Sequence, residues 1–598
     1  MNKPLSLSPL CLGILLATAA SQSSAASFEF MDGEVSGSIN TTLSAGVSVS
    51  TQDPKKNLYT YGESKGLDDI TPGKGTGVNA DNGRLNYRKG DVISNQYKGL
   101  TELALDYKNY GFKGSVKYWY DHWLETKSGR YTEFDDTGFD DLAGFSGVEL
   151  LDAYGWTYFD VGEVPVDVRL GKQVISWGEG MFLQGGINVI NPVDAAAFNR
   201  PGVELKEGLL PVEALYTSMG LTPEVTLEAF YQMNWRPTVL DGCSTFFATT
   251  DAIQPGCEGI YTQANKSNAE EEALGRSVID RTADELPGDS GQWGVSFKYY
   301  AEALNGTEFG LYAMNYHSRL PFVNAVNADW SGISGVPSGD VDFPINITPG
   351  GPSPTIRFVE GATYNAAFPE DIKLYGLSFN TSLDSGWSIS GELSYRPDMP
   401  QQININDLLG KAAASRDGES VQGFVTKPVT QLQISLLNSF PQVLGASELS
   451  LAGEIGYVHI ADLDDGNRYG RSAMFGPGAG SSACAAPKPN VTTEFCTNEG
   501  YTTANSWGYR LRAALAYSGI IPGVLLKPSL SFRHDVDGYS YESGGSFMEG
   551  QMASTLGLSA TYQNNYTANI AYTGFFGNNK YSTLDDRDFV SFSVSASF

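Results

Sequence analysis

Period-two alternation of apolar with small polar residues recurs from Val35 to the last residue, and it narrows the possible folds more than any other feature. At the C-terminus Val590, Phe592, Val594, Ala596 and Phe598 alternate with Ser591, Ser593, Ser595 and Ser597. Successive side chains of a strand point to opposite faces, so this segment is a strand with one apolar face. The same pattern puts Val225, Leu227, Ala229, Tyr231, Met233 and Trp235 opposite Thr226, Glu228, Phe230, Gln232 and Asn234. Trp387, Ile389, Gly391, Leu393 and Tyr395 oppose Ser388, Ser390, Glu392, Ser394 and Arg396; Trp507, Tyr509, Leu511, Ala513, Leu515 and Tyr517 oppose Gly508, Arg510, Arg512, Ala514 and Ala516.

Any membrane crossing must be made by such strands, because no apolar run after the N-terminal region approaches the ~20 residues of a spanning helix. Hydrophobic residues make up 41% of the chain and mean hydropathy is −0.21. A transmembrane barrel shares such values with soluble proteins, since half of each strand faces a polar lumen. Aromatics cluster at strand ends, where an interfacial girdle needs them.

Strands are expected at 35–50, 98–108, 111–124, 147–160, 165–176, 209–219, 223–235, 291–302, 306–319, 370–382, 385–398, 428–438, 446–460, 506–518, 523–534, 551–563, 566–577 and 587–598. That is a closed antiparallel transmembrane β-barrel of about 18 strands, with 16 or 14 as alternatives. The connections alternate short and long, as a barrel with periplasmic turns and extracellular loops requires. Short links such as Lys108-Asn109-Tyr110 and Gln563-Asn564-Asn565 intervene between long ones such as 177–208, 236–290 and 320–369. Closure follows, because an open sheet edge in hydrocarbon leaves a row of unpaired backbone groups.

The first 26 residues read as a cleaved signal peptide: Lys3, an apolar run from Leu10 to Ala20, then Ser24-Ala25-Ala26. Cys11 leaves with it, and Ser8-Pro9-Leu10 before that cysteine does not suit lipidation. The first strand then starts too soon after the cut to leave room for a plug domain. The C-terminal strand with its terminal Phe598 is the expected address for the barrel-assembly machinery.

The formal charge of −29, from 68 acids against 39 bases, excludes nucleic acid as a partner, since no basic face is present to neutralise phosphates. Much of the acid lies in predicted loops, among lipid and lipopolysaccharide headgroups, and reads as solvated loop surface. No metal or cofactor site is assigned: the four histidines, His122, His317, His459 and His534, lack ligand-like spacing. Four cysteines remain after cleavage in two close pairs, Cys243 with Cys257 and Cys484 with Cys496, and an even count in an exported chain suggests two local disulfides.

The run Arg169-Leu170-Gly171-Lys172-Gln173-Val174-Ile175-Ser176-Trp177-Gly178-Glu179-Gly180, continuing Gln184 to Asp194, resembles the domain-of-unknown-function family 1302 of proteobacterial outer-membrane proteins. Arg200-Pro201-Gly202-Val203-Glu204-Leu205-Lys206 and Gly37 to Leu43 carry the same resemblance, with a departure at Gly180, where relatives are expected to have serine. It implies an outer-membrane barrel associated with proton-driven exporters, in transport or envelope lipid handling.

Segment 177–208 is too apolar for a solvated outer loop, with Trp177, Phe182, Ile187, Val189, Ile190 and Phe198, and is expected to fold into the lumen as a constriction or a brace. Short helical patterns at 266–280 and 407–416 suit loop helices. The polar strand faces place Glu102, Asp106, Lys113, Lys117, Arg169, Glu228, Glu392, Arg396, Glu454, Arg510, Arg512, Lys527 and Arg533 on the lumen wall, with Trp119 and Phe230 among them. Opposed basic and acidic walls would order water across a pore, whereas Glu102 and Asp106 pairing with Lys113 and Lys117 across one hairpin would be purely structural.

A channel or transporter for small molecules, with hydrophobic or amphipathic carboxylates as the expected solutes, is the leading reading. A docking barrel for a trans-envelope exporter or lipid-handling system and a general diffusion porin are the alternatives. A hydrolase is disfavoured: no G-x-S-x-G elbow occurs, and only His534, near Ser529 and Ser531, hints at a triad.

Overall fold

The computed structural model describes residues 26–598 other than 258, 274–277, 329–360, 417, 477, 481–483 and 485–491. Its barrel strands are β1 (Val35–Ser50), β2 (Val92–Tyr107), β3 (Tyr110–Asp121), β4 (Ser146–Val161), β5 (Val164–Gln173), β6 (Val212–Thr222), β7 (Val225–Gln232), β8 (Trp293–Ala301) and β9 (Thr307–Tyr316). They continue as β10 (Ile372–Ser382), β11 (Ser388–Gln402), β12 (Phe424–Pro441), β13 (Glu448–Ile460), β14 (Asn505–Ile521), β15 (Val524–Asp537), β16 (Gln551–Tyr562), β17 (Tyr566–Gly577) and β18 (Phe589–Ser597).

Each strand pairs antiparallel with its neighbours in sequence, and β18 closes on β1 from Thr42↔Ser597 to Ser50↔Phe589. The protein is therefore a closed 18-stranded antiparallel barrel. Below the seam, where β18 does not reach, an N-terminal strand Ala26–Phe30 pairs with Val35–Ile39 of β1. The expected leader otherwise lies outside the described residues.

The outward faces carry exposed Leu170, Phe297, Leu311, Leu377, Leu432, Ile434, Leu511, Leu556, Ile570 and Phe592, a belt that only hydrocarbon can cover. Among the described residues no helix is long and apolar enough to cross a membrane. The barrel and its apolar belt place the protein in the bacterial outer membrane, with the long loops outside.

Two parts of the long-loop end depart from the sequence expectation. Strand β2 begins at Val92, six residues before the expected 98, because the β1–β2 register extends up to Val49↔Val92. The 266–280 helical pattern yields only Asn268–Glu272, followed by the strand Val278–Arg281. That strand joins a five-stranded sheet made wholly of loop segments, in the order Ser420–Val421, Phe322–Val326, Thr363–Ala367, Val278–Arg281, Ile260–Tyr261. The helix Ile405–Ala413, close to the expected 407–416, packs Leu408 and Ala412 against this sheet. Neither disulfide joins distant parts of the cap: Cys243 is bonded to Cys257 and Cys484 to Cys496.

Candidate functional site: a loop across the barrel lumen

The β5–β6 connection, residues 174–211, runs inside the barrel and is held by wall carboxylates. Glu392 on β11 accepts hydrogen bonds from the backbone N–H groups of Glu179 (2.6 Å), Gly180 (3.1 Å) and Ile187 (2.9 Å). Glu454 on β13 accepts those of Met181 (2.9 Å), Phe182 (2.6 Å) and Leu183 (2.7 Å), and also the Ser435 hydroxyl at 3.0 Å. Arg396 donates the other way, to the carbonyls of Gly185 (2.7 Å) and Gly186 (2.5 Å). The loop has no ladder partner for these amides and carbonyls, so charged wall residues supply the hydrogen bonds that buried backbone needs.

Local sequence permits this clasp. Gly185 has φ +80°, and a Cβ on Gly186 would lie 1.8 Å from Glu392 Oε1, so a side chain there would displace the carboxylate.

Apolar packing fixes the flank of the same loop. Trp177 lies 5.1 Å, ring to ring, from Phe230 on β7 and 5.8 Å from Tyr312 on β9. Ile187 and Ile190 join Met314, Ile372 and Leu374 in that cluster, with Val189 packed at its edge. The C-terminal half reaches the far wall: Asp194 pairs with Lys117 (2.9 Å), Glu207 with Lys98 (2.5 Å) and Lys206 with Glu102 (2.6 Å). Pro201 and Gly202 press on Gly46 of β1 and Ser593 of β18. The loop is thus a crossbar touching most of the barrel perimeter.

These contacts rearrange the sequence expectations. Glu102 and Asp106 do not pair with Lys113 and Lys117; Lys113 meets Asp152 at 3.4 Å, and Lys117 and Glu102 meet Asp194 and Lys206 of the crossing loop. Adjacent strands of one hairpin carry no mark of a loop that reaches them from inside the barrel. Acidic and basic walls are not opposed either, since Glu454 and Arg510 are direct cross-strand neighbours.

Trp119 and Phe230 face inward yet are buried, the first beneath Arg200 and the Gly144 carbonyl, the second beneath Trp177. Lys117, Glu228, Glu392, Arg396 and Glu454 are likewise covered. Glu228 pairs with Lys298 at 3.2 Å, and Arg169 with Asp167 at 3.0 Å. Arg510 is engaged by Asp535 (2.7 Å) and the Ser546 carbonyl (2.9 Å), and Arg533 by Gln551 (2.7 Å). Arg512 and Lys527 stay exposed, and among the described residues neither has a carboxylate within ion-pair distance. On the crossing loop Phe182 is 37% exposed and Met181 42%. In the sequence nothing distinguishes Met181 from a buried methionine.

His534 points outward against Tyr509 and Phe532, since its strand neighbour Arg533 faces in, and Ser529 and Ser531 share the inward face. The triad reading therefore fails on geometry. Among the described residues no group of three or more His, Cys, Asp or Glu side chains is placed to hold a metal ion.

The family described as "Protein of unknown function (DUF1302)" matches residues 6–598. The chain belongs to this family. No curated protein matches it. Solved structures similar to this DUF1302 member include Acinetobacter baumannii OccAB1, at 10% identity and a TM-score of 0.39, covering 97% of this chain and 99% of that one. Pseudomonas aeruginosa OccK2 (OpdF) in complex with glucuronate is 8% identical with a TM-score of 0.37, covering 96% and 99%. The outer membrane channel DcaP of Acinetobacter baumannii is 7% identical with a TM-score of 0.35, covering 96% and 100%. Likenesses this distant carry no functional argument.

In this DUF1302 barrel the outer loops form a second charged assembly above the lumen. Arg84 and Asp586 form a fully buried ion pair beside Arg587, while Asp81 and Asp251 accept the amides of Thr60 (3.0 Å) and Asn82 (3.1 Å). Burial raises the Asp251 carboxyl to about 6, and burial next to Asp81 raises Glu63 as well. Burial next to Arg84 lowers Arg587 to about 9. These groups tie the β1–β2, β7–β8 and β17–β18 loops together, so the cap is a packed body.

Proposed function

We propose that this protein is an outer-membrane channel for small molecules in which the crossing loop narrows the lumen, with hydrophobic or amphipathic carboxylates favoured over sugars. The channel reading rests on size: at 18 strands the interior exceeds what wall side chains fill. The single observation that carries the constriction is the double clasp of Glu392 and Glu454 on six backbone amides of one loop. The carboxylate preference rests on Arg512 and on the exposed Met181 and Phe182; Trp119 and Phe230, being buried, no longer support it.

The crossing loop also favours a second reading, a docking barrel whose lumen stays closed. Planar-bilayer recording separates the two. A channel conducts as wild type, and removing residues 180–198 raises its conductance. A docking barrel stays silent in both forms while co-purifying with its exporter or lipid-handling partner. Uptake assays should rank a hydrophobic carboxylate above a neutral sugar of similar size, and the reverse ranking would leave a general porin. We also propose that residues 1–26 are removed on export, which N-terminal sequencing of the membrane-inserted protein tests.

A further inference from the structure

The crossing loop does not bury all of the wall equally. Inward positions where it and the neighbouring loops pack, such as Ser296 on β8, Ser394 on β11 and Gln433 on β12, are buried. Those of β14–β17 are buried at the loop end, at Ser506, Asp535 and Gln551, but open below it, with Arg512, Ser531, Thr555, Ser559, Asn569 and Thr573 all partly or fully exposed. The difference begins in the sequence. The open stretch carries Ser531, Thr555, Gly557, Ser559, Ala571 and Thr573 inward, whereas on the filled wall Phe230, Tyr312, Met314 and Arg396 reach the crossing loop and small residues such as Ser296 are covered between them. Where no large inward side chain meets the loop, a lane is left between loop and wall.

Resting on the channel reading above, we infer that solute moves along the β14–β17 wall, beside the crossing loop, and that Arg512 is the residue that admits organic anions there. Arg510, two residues away on the same face, is neutralised by Asp535, and Arg533 is engaged by Gln551. Arg512 keeps its guanidinium free in the lane, with Lys527 further towards the periplasm on β15. A planar guanidinium with free donors binds a carboxylate by paired hydrogen bonds that a lysine cannot match.

Across the lane the loop supplies the apolar half. The amides of Met181 and Phe182 are pinned on Glu454, which lies opposite Arg510 across the β13–β14 ladder, so this part of the loop is anchored on the strand next to that of Arg512. The lane therefore fits a solute with a carboxylate head and an apolar body, the body running along Phe182 and Met181.

The test uses the full barrel in planar bilayers, with heat-modifiable migration checked for every variant. In a potassium chloride gradient, Arg512→Gln should lower the anion-to-cation permeability ratio severalfold and Arg512→Glu should invert it, and external benzoate should block wild type more strongly than either. In single-cysteine variants an anionic thiosulfonate should cut conductance through Ser531→Cys and Ser559→Cys and leave Ser296→Cys unchanged. An unchanged permeability ratio and benzoate block in folded Arg512→Gln would overturn the role of Arg512. Block through Ser296→Cys but not through Ser531→Cys or Ser559→Cys would overturn the lane. A folded wild type that conducts nothing would instead remove the channel reading, and this inference with it.

Discussion

Glu454, a wall residue of β13, accepts the backbone N–H of Phe182 at 2.6 Å from a segment 272 residues earlier in the chain. The contact ties the crossing loop to one wall carboxylate. Glu454→Ala would strand three amides inside the barrel, and an unsatisfied buried donor costs roughly 1–3 kcal/mol. The barrel should still fold, with its loop loosened, so single-channel records should show higher conductance and more open-channel noise. Wild-type records from folded Glu454→Ala would show that the clasp does not set the constriction.

Gly186→Ala reaches the second clasp without removing any charge. Its added Cβ would lie 1.8 Å from Glu392 Oε1, so the carboxylate must leave the Ile187 amide. The expected phenotype is that of Glu392→Ala, with a similar rise in conductance. The comparison separates hydrogen bonding from electrostatics, because Gly186→Ala keeps the negative charge in the lumen.

The outer cap should weaken as pH rises. Asp251 has its pKa raised from 3.8 to about 6 by burial, so the folded cap holds a proton that the unfolded loop gives up earlier. Such a group leaves stability intact at low pH and lowers it as pH climbs from about 4 to about 6, and raised Glu63 extends the fall upward. Limited proteolysis of the β1–β2 and β7–β8 loops should accelerate across that range. Asp251→Asn should flatten the dependence; if it does not, Asp251 is not the group responsible.

The disulfides should matter to the loops and not to the barrel. Cys243–Cys257 and Cys484–Cys496 close segments with sequence separations of 14 and 12, a size for which cross-linking contributes about 3 kcal/mol. Replacing either pair with serine should leave heat-modifiable migration unchanged and speed protease cleavage within that loop. Peptide mapping of the unreduced protein should recover these two bridges and none between the loops.

The sequence by itself determined the wall. Alternation of period two fixes which face of each strand meets lipid, and strict alternation of short and long links fixes parity, so strand count, closure and facing are all local properties repeated 18 times. Local disulfide partners were legible for the same reason, lying within single loops. The apolar run 177–208 also announced that it could not face water. Only the tertiary structure decided what that run touches. Glu392 and Glu454 are alternating polar positions like their neighbours, and nothing along β11 or β13 marks them as acceptors for amides more than 200 residues away. Burial of Phe230 and Trp119, pairing of Lys117 with Asp194, and the five-stranded cap sheet arise in the same way, from loops folding back over positions that alternation alone leaves facing an open lumen. Periodicity reports the direction of a side chain relative to its own strand; its exposure depends on chain that returns from elsewhere, here the crossing loop and the outer loops of the cap.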